Sequence, residues 1–578
     1  MKLSLDQAIT KAKSYKRKGE IVEAQRLLKA VLKTFPKNKR AQKELLILSK
    51  PKQKDIADRI SQKEVDQLLI LYKNGRMSEV VKQAKVLTEQ YPEKLIFWNL
   101  MGAAAAQTGQ LDRAVFAFQK AINIKPGSAE IYNNIGNVFF EQKKMDDALA
   151  AYCKATSIKP NYSDAYCNMA NVLKDQGHLD EALETYKKAV SIKPENADAY
   201  NNMGTALRDQ GNLEEAIEAL KKALSIKPKY TAAYFNMGTI YYDLGKLDES
   251  VEAYTKVLSI NPDYADALNN MGVALKDLGK LDESVEAYTK ALFIKPDYAE
   301  GYYNLGNTLK GVTFTKPNRD LQKTIVSLLD KGTYVRPNDI AKAAISLLKL
   351  EPTLQKHLQL FDADIIEGLV DVILEISELP LLLRLMSVCP LPDLELEKLL
   401  TNLRRSILLN ISSLEDAAVE LLRFQSALAL QCFTNEYIYG HTEEEEKILK
   451  SLEASVEKHL ENNDQPSPLV ILALASYKSL KCYKWCQSLA FTDSIQEAFT
   501  RQVIELQKEN DVKSNFPIFK EITDNISSEV RAQYEESPYP RWVNLGLDQK
   551  PISIINLVNG VNLKLRTYKV TNVERPEI

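Results

Sequence analysis

Histidine and cysteine are scarce: the 578 residues include four of the first and six of the second. No C-x-x-C or H-x-x-x-H pair occurs. Cys482 and Cys486 can share a helix face, but no further ligands stand nearby, so no metal site is expected. The other cysteines, at 153, 167, 389 and 432, are too scattered for a disulfide framework and fit a reducing interior. Net charge is also missing, at −1 from 76 basic and 77 acidic residues. That balance removes the basic excess needed to coat nucleic acid or a membrane surface. The basic stretch at Lys11, Lys13, Lys16, Arg17 and Lys18, with Lys37, Lys39 and Arg40, is interleaved with acidic residues and reads as a solvated face. No apolar run approaches the roughly 18 residues of a membrane span, and MKLSLDQAITKAK lacks the apolar stretch of a signal peptide. A cytoplasmic location is expected.

Catalytic signatures are absent as well. The chain has no G-x-x-x-x-G-K-S/T and no G-x-G-x-x-G, so no phosphate cradle or cofactor is expected. His441 sits in the turn-like YIYGHTEEEE without an identifiable Ser or Cys partner and reads as a surface residue.

What the chain does have is a period. Prolines fall at 92, 126, 160, 194, 228, 262 and 296, each 34 residues after the last. Glycines at 75, 109, 177, 211, 245 and 279 keep that period, with Lys143 as the exception. So do Gly102, Gly136, Gly204, Gly238, Gly272 and Gly306, with Ala170 standing in. Three registers sharing one period mark a tandem array.

In YNNIGNVFFEQKKMDDALAAYCKATSIKP, Tyr132, Ile135, Gly136 and Phe139 recur at helical spacing, and a break follows at Lys143. Asp146 is then positioned to cap a second helix with the stripe Ala148, Leu149, Tyr152, Ala155 and Ile158, which Pro160 ends. Each unit is therefore a helix–turn–helix hairpin. One hairpin cannot bury its own stripe, so neighbours must stack into a solenoid.

The pattern Tyr132, Gly136, Phe139, Ala148, Tyr152, Ala155, Pro160 resembles the tetratricopeptide repeat (TPR). Complete units are expected at 61–94, 95–128, 129–162, 163–196, 197–230, 231–264 and 265–298, with a further first helix from 299. An outlying unit at 5–38 keeps Gly19, Ala24 and Pro36.

The resemblance implies that each first helix lines a concave groove. That face carries Asn134, Asn168, Asn202, Asn236, Asn270 and Asn304, with Asn137, Asn171 and Asn307 on the same face three residues later. An amide has donors and an acceptor, so such a row can grip the backbone of an extended peptide without reading its side chains. The row is similar to the asparagine ladder of the nucleocytoplasmic O-linked N-acetylglucosamine transferase. Two other origins are open: plain duplication, since LGKLDESVEAYTK occurs at both 244–256 and 278–290, or bonds between neighbouring helices that serve stacking. Acidic residues (Glu130, Asp164, Asp198, Asp266, Glu300) occupy the early position where a clamp for a C-terminal carboxylate needs cations.

After Leu309 the period stops. VTFTKPNRD reads as a break, and helices are expected at 339–350, 363–377, 394–411, 414–433, 443–461 and 469–480. Later, Gln533, Tyr534, Glu535, Pro538, Tyr539, Pro540, Arg541 and Trp542 form a loop-like run, and LKLRTYKV at 563–570 partly alternates like a strand. This run resembles one found in bacterial fusions, where TPR repeats and a helical segment precede an S-adenosylmethionine-dependent class I methyltransferase domain. The resemblance implies a catalytic domain that this polypeptide does not contain, so no cofactor-binding residue is carried over.

The expected fold class is all-α: a TPR superhelical solenoid, a second helical domain and a short mixed strand and loop tail. Boundaries are placed at 1–60 for the outlying helices, 61–312 for the solenoid, 313–530 for the helical domain and 531–578 for the tail. The expected function is a scaffold binding a protein or peptide segment in its groove, with self-association open and no nucleic-acid or membrane partner. The alternative is the substrate-recruiting portion of a methyltransferase.

Overall fold

The computed structural model describes residues 4–18, 20–49, 53–359, 368–414, 419–490 and 492–515. Every described element is helical, as expected. The chain groups into two compact units, Met1–Pro228 and Lys229–Ile578.

The first unit is a series of antiparallel helix pairs. Leu5–Lys18 and Ile21–Thr34 enclose a small core of Ala8, Ile9, Ala12, Leu28, Val31 and Ala41 with Lys39–Ser49. Gln53–Lys73 and Met77–Gln90 follow, then Leu95–Gln107 with Leu111–Ile124 and Ala129–Glu141 with Met145–Ile158. Ser163–Asp175 with Leu179–Ile192 and Ala197–Asp209 with Leu213–Ile226 complete it.

Within each pair the turn is set by one residue in the left-handed region. Gly109, Gly177 and Gly211 adopt φ of +71°, +82° and +87°, and Lys143 adopts 60° without glycine's freedom. Asp146 does not cap its helix. The N-cap is Lys144, with no side-chain hydrogen bond, and Asp146 lies in the first turn, where its charge suits the helix dipole. Its carboxylate instead accepts from Gln176 Nε2 of the next pair at 3.1 Å. The same clip recurs from Gln142 to Asp112 at 2.8 Å and from Gln210 to Asp180 at 2.5 Å.

The two helices of a pair meet where small faces large. A Cβ on Gly136 would lie 2.6 Å from Tyr152 Cε1, and Gly102 and Gly204 meet Phe118 and Leu220 in the same way. Ala148 and Ala155 beside this contact are fully buried, as the repeat's small positions require.

In the second unit, Thr231–Asp243 with Leu247–Ile260 and Ala265–Asp277 with Leu281–Ile294 repeat the arrangement, and Ala299–Leu309 begins another. Here Ser250 and Ser284 take the place of Ala148, and each hydroxyl donates to a glycine carbonyl, Gly238 at 2.8 Å and Gly272 at 2.7 Å. The polar group is thereby satisfied inside the contact.

The aperiodic region then folds as Arg319–Lys331, Pro337–Leu348, Pro352–Leu358, Leu369–Ser377, Pro380–Val388, Leu394–Leu409, Val419–Thr434, Glu443–Glu461, Pro468–Ala475 and Asp493–Phe499. Arg319–Lys331 occupies sequence expected to lie in and after a break, and Pro468–Ala475 ends five residues short of the helix expected to 480. A turn and a short 3₁₀ segment follow it. One apolar cluster runs from Val285, Tyr288 and Leu305 through Leu348 and Leu382 to Phe424 and Leu469.

Candidate functional site

Of the expected ladder asparagines, Asn137 is exposed and the others are half-buried, while the adjacent Asn133, Asn201 and Asn269 are buried. Within the first unit, Asn168 Nδ2 lies 3.0 Å from both Asn133 Oδ1 and Asn137 Oδ1 of the preceding pair. Asn202 Nδ2 donates to Asn171 Oδ1, also at 3.0 Å, and Asn201 donates to Asn202 at 3.1 Å. Asn137 Oδ1 additionally accepts the Tyr152 hydroxyl at 2.6 Å, and Asn171 Oδ1 accepts that of Tyr186. In the second unit Asn304 Nδ2 donates to Asn269 Oδ1 at 3.1 Å, and Asn269 donates to Asn270 at 3.3 Å and to Glu300 at 3.1 Å. Asn236 is half-buried in the same register.

Bonds between neighbouring pairs, one of the open readings of the row, are therefore present. They do not consume the amides. An Asn side chain has two N–H donors and two lone pairs, and Asn168 directs its NH₂ at two acceptors of the preceding pair, Asn133 and Asn137. Its carbonyl remains, held in one orientation.

Asn134 differs. Its side chain makes no hydrogen bond among the described residues, and Asn99 Oδ1, which stands 35 residues before it as Asn133 does before Asn168, is buried without a donor.

The flanking charges are partly paired. Lys159 stands 3.7 Å from Glu130 and Lys174 3.7 Å from Asp175 in the first unit. Lys295 stands 3.7 Å from Asp266 and Lys310 3.3 Å from Asp339 in the second.

Elsewhere in the second unit, His357 is 1% exposed and its Nε2 lies 2.7 Å from Glu375 Oε2, which Lys356 also contacts at 2.8 Å. Those two neighbours hold the Glu375 carboxyl below its ordinary range. The pair lies 18 residues apart in sequence, and no sequence pattern marks it. His441 is exposed, with its ring edge-on to Tyr477 at 6.2 Å. A cleft of about 440 Å³ is lined by Asp330, Arg384, Ser387, Arg423, Asp493 and Glu497, with Arg384 committed to Asp330 at 2.8 Å. Among the described residues no group of His, Cys, Asp and Glu could hold a metal ion. No described helix is long and apolar enough to cross a membrane. The run from Gln533 to Trp542 and the strand expected at 563–570 lie outside the described residues.

Comparison with known families finds matches to the TPR repeat at residues 102–143, 136–177, 170–207, 204–245, 238–279 and 274–311. A comparison with curated proteins finds no match. Among solved structures, the chain is similar to YrrB, described as a TPR protein with an unusual peptide-binding site. The identity is 29% over 32% of this chain and 97% of that one, with a TM-score of 0.28. It is similar to the MamA protein at 31% identity over 30% of this chain and 94% of that one, TM-score 0.27. It also resembles PilF of Pseudomonas aeruginosa at 19% identity, over 35% of this chain and 93% of that one, TM-score 0.32.

Proposed function

We propose that this chain, whose residues 102–311 match the TPR repeat, is an interaction scaffold whose first-helix face binds an extended peptide by its backbone. One observation carries this reading. The ladder amides of Asn168, Asn202 and Asn304 are fixed by one or two bonds to their neighbours and keep acceptor capacity in hand. Pre-oriented amides lose little freedom on binding, which favours affinity without new contacts. A main-chain ligand offers alternating N–H and C=O groups, the complement of what an amide offers. Asn134, Asn137, Asn171, Asn236, Asn270 and Asn307 share the face. The acidic residues at the early position disfavour a terminal carboxylate as the ligand's main anchor.

The test separates binding from stacking. Asn134→Ala removes an amide without an internal partner, and Asn168→Ala removes one that has two. Under this reading both weaken capture of extended peptides by the full chain in fluorescence anisotropy, and only Asn168→Ala lowers the urea midpoint. If Asn134→Ala changes neither, the ladder serves stacking alone.

A second reading, recruitment of substrate for a methyltransferase, is carried by the signature at Gln533–Trp542 alone. Co-purification with a methyltransferase domain supplied in trans is its test.

A further inference from the structure

The first-helix face of the first unit changes character along its length. On Ala129–Glu141, Ser163–Asp175 and Ala197–Asp209 that face carries the ladder with Glu130, Glu141, Asp164, Asp175, Asp198 and Asp209 against Lys174 and Arg208. On Leu95–Gln107 the same positions are Ile96, Asn99, Leu100, Ala103, Ala106 and Gln107. These fall at i, i+3, i+4, i+7, i+10 and i+11, so they form one stripe of the helix. Where its neighbours carry a carboxylate this helix has Ile96, and where they carry ladder amides it has Leu100 and Ala103.

The stripe is not wholly consumed by the core: Ile96, Ala103 and Ala106 are half-buried, as is Leu69 of Gln53–Lys73, the residue 34 before Ala103, and all four pack against the same cluster. At the boundary between apolar and amide floors stand the two polar groups noted above: the Asn99 oxygen, buried without a donor, and Asn134, with no internal bond. A buried acceptor left without a donor is destabilising, and a ligand N–H at that place would supply the missing proton.

Resting on the reading of the groove as a peptide site, we infer that its ligand has two parts. An aliphatic end seats on Leu69, Ile96, Ala103 and Ala106. A polar, basic remainder then runs along the ladder, and its main chain is first engaged between Asn99 and Asn134. The charge follows from the floor: six carboxylates against two cations on the three ladder helices of this unit, with Lys159 3.7 Å from Glu130 and Lys174 3.7 Å from Asp175. The length follows from geometry. Packed helices lie ~10 Å apart and an extended chain rises ~3.3 Å per residue, so each repeat meets about three ligand residues.

The experiment uses the full chain and fluorescein-labelled peptides of about twelve residues, matching four repeats at that rise. One peptide has two leucines at an end followed by alternating serine and lysine. A second replaces the leucines by serine, and a third replaces the lysines by glutamate. The leucine–lysine peptide is expected to bind about tenfold more tightly than the leucine-free one, as burial of aliphatic side chains predicts. That preference disappears in Ala106→Glu. The glutamate peptide binds more weakly at low salt, and the difference shrinks as salt screens it.

Equal binding of the first two peptides overturns the aliphatic end and leaves backbone reading intact. Equal binding of the lysine and glutamate peptides at low salt overturns the basic remainder. Failure of all three to bind overturns the peptide groove itself. Because the ratio between peptides is measured on the unaltered chain, a poorly folded Ala106→Glu does not remove the decision.

Discussion

The hydroxyl of Tyr152 donates to Asn137 Oδ1 at 2.6 Å, and so ties the second helix of its repeat to the ladder face of the first. The register has changed step by step along the chain. Tyr186 bonds Asn171 in the same way, Leu220 has no hydroxyl and sits in the repeat of Thr205, and the Tyr254 hydroxyl lies 3.1 Å from Thr239 Oγ1. Tyr288 is paired with Val273, and its hydroxyl is buried without a hydrogen bond. Burial pushes that hydroxyl's pKa up to about 12.

Removing the two hydroxyls is therefore expected to have unequal effects. Tyr152→Phe should cost ~1 kcal/mol, the net worth of a typical internal hydrogen bond. Tyr288→Phe should be neutral or slightly stabilising, because it removes an unbonded buried polar group. Urea unfolding of the two variants beside the parent chain measures the difference; equal losses would contradict it.

Lys143 stands at φ 60° where the neighbouring turns have glycine. A left-handed conformation costs an ordinary residue roughly 1–2 kcal/mol, and glycine gives some of that back as chain entropy. Lys143→Gly should thus stabilise by about 0.5–1 kcal/mol, seen as a higher thermal midpoint. Gly177→Ala, which imposes the same strain at φ +82°, should lower it.

The close approach at Gly136 predicts another contrast. Gly136→Ala would put a methyl 2.6 Å from Tyr152 and should cost ~1–3 kcal/mol through overpacking. Ala170 fills the same register one repeat later and is fully buried, so that repeat has already accommodated a methyl. Ala170→Gly should cost only about the 1 kcal/mol of glycine's poorer helix propensity plus the lost methyl contact.

Thiol chemistry provides a check on the packing. Cys153 and Cys482 are exposed, while Cys167, Cys389, Cys432 and Cys486 are buried. Burial pushes the thiols of Cys167, Cys389 and Cys432 up to about 12, far from the thiolate form at neutral pH. In native buffer an aromatic disulfide reagent should release two equivalents quickly and the rest only on unfolding.

The hairpins were legible because their punctuation is local. A proline ends a helix and a left-handed residue turns the chain whatever lies beyond, so the 34-residue period in those residues locates each pair. The destinations of the amides were not legible. Asn168 reaches both Asn133, 35 residues back, and Asn137, 31 back, whereas Asn202 finds Cys167 at the first register and donates to Asn171 at the second. That these side chains meet at all depends on the packing between successive pairs, a property that no single unit encodes. The helix Arg319–Lys331 starts directly after a break signal, Pro317, which masks the cap at Asn318 and the core stripe Leu321, Ile325 and Leu328. His357 and Glu375 meet only because their helices pack, which is a tertiary fact.

The recurring Gln–Asp clip has a consequence for how such a protein can change over time. Gln142 meets Asp112, Gln176 meets Asp146 and Gln210 meets Asp180, each partner 30 residues back. Both halves of the clip travel within the repeating cassette. An unequal crossover that copies or removes whole cassettes leaves every remaining clip with a partner, while one that changes the chain by any other length strands a glutamine. Copy number is then the variable that heredity can adjust at little structural cost, and the matching segments 244–256 and 278–290 preserve one such duplication.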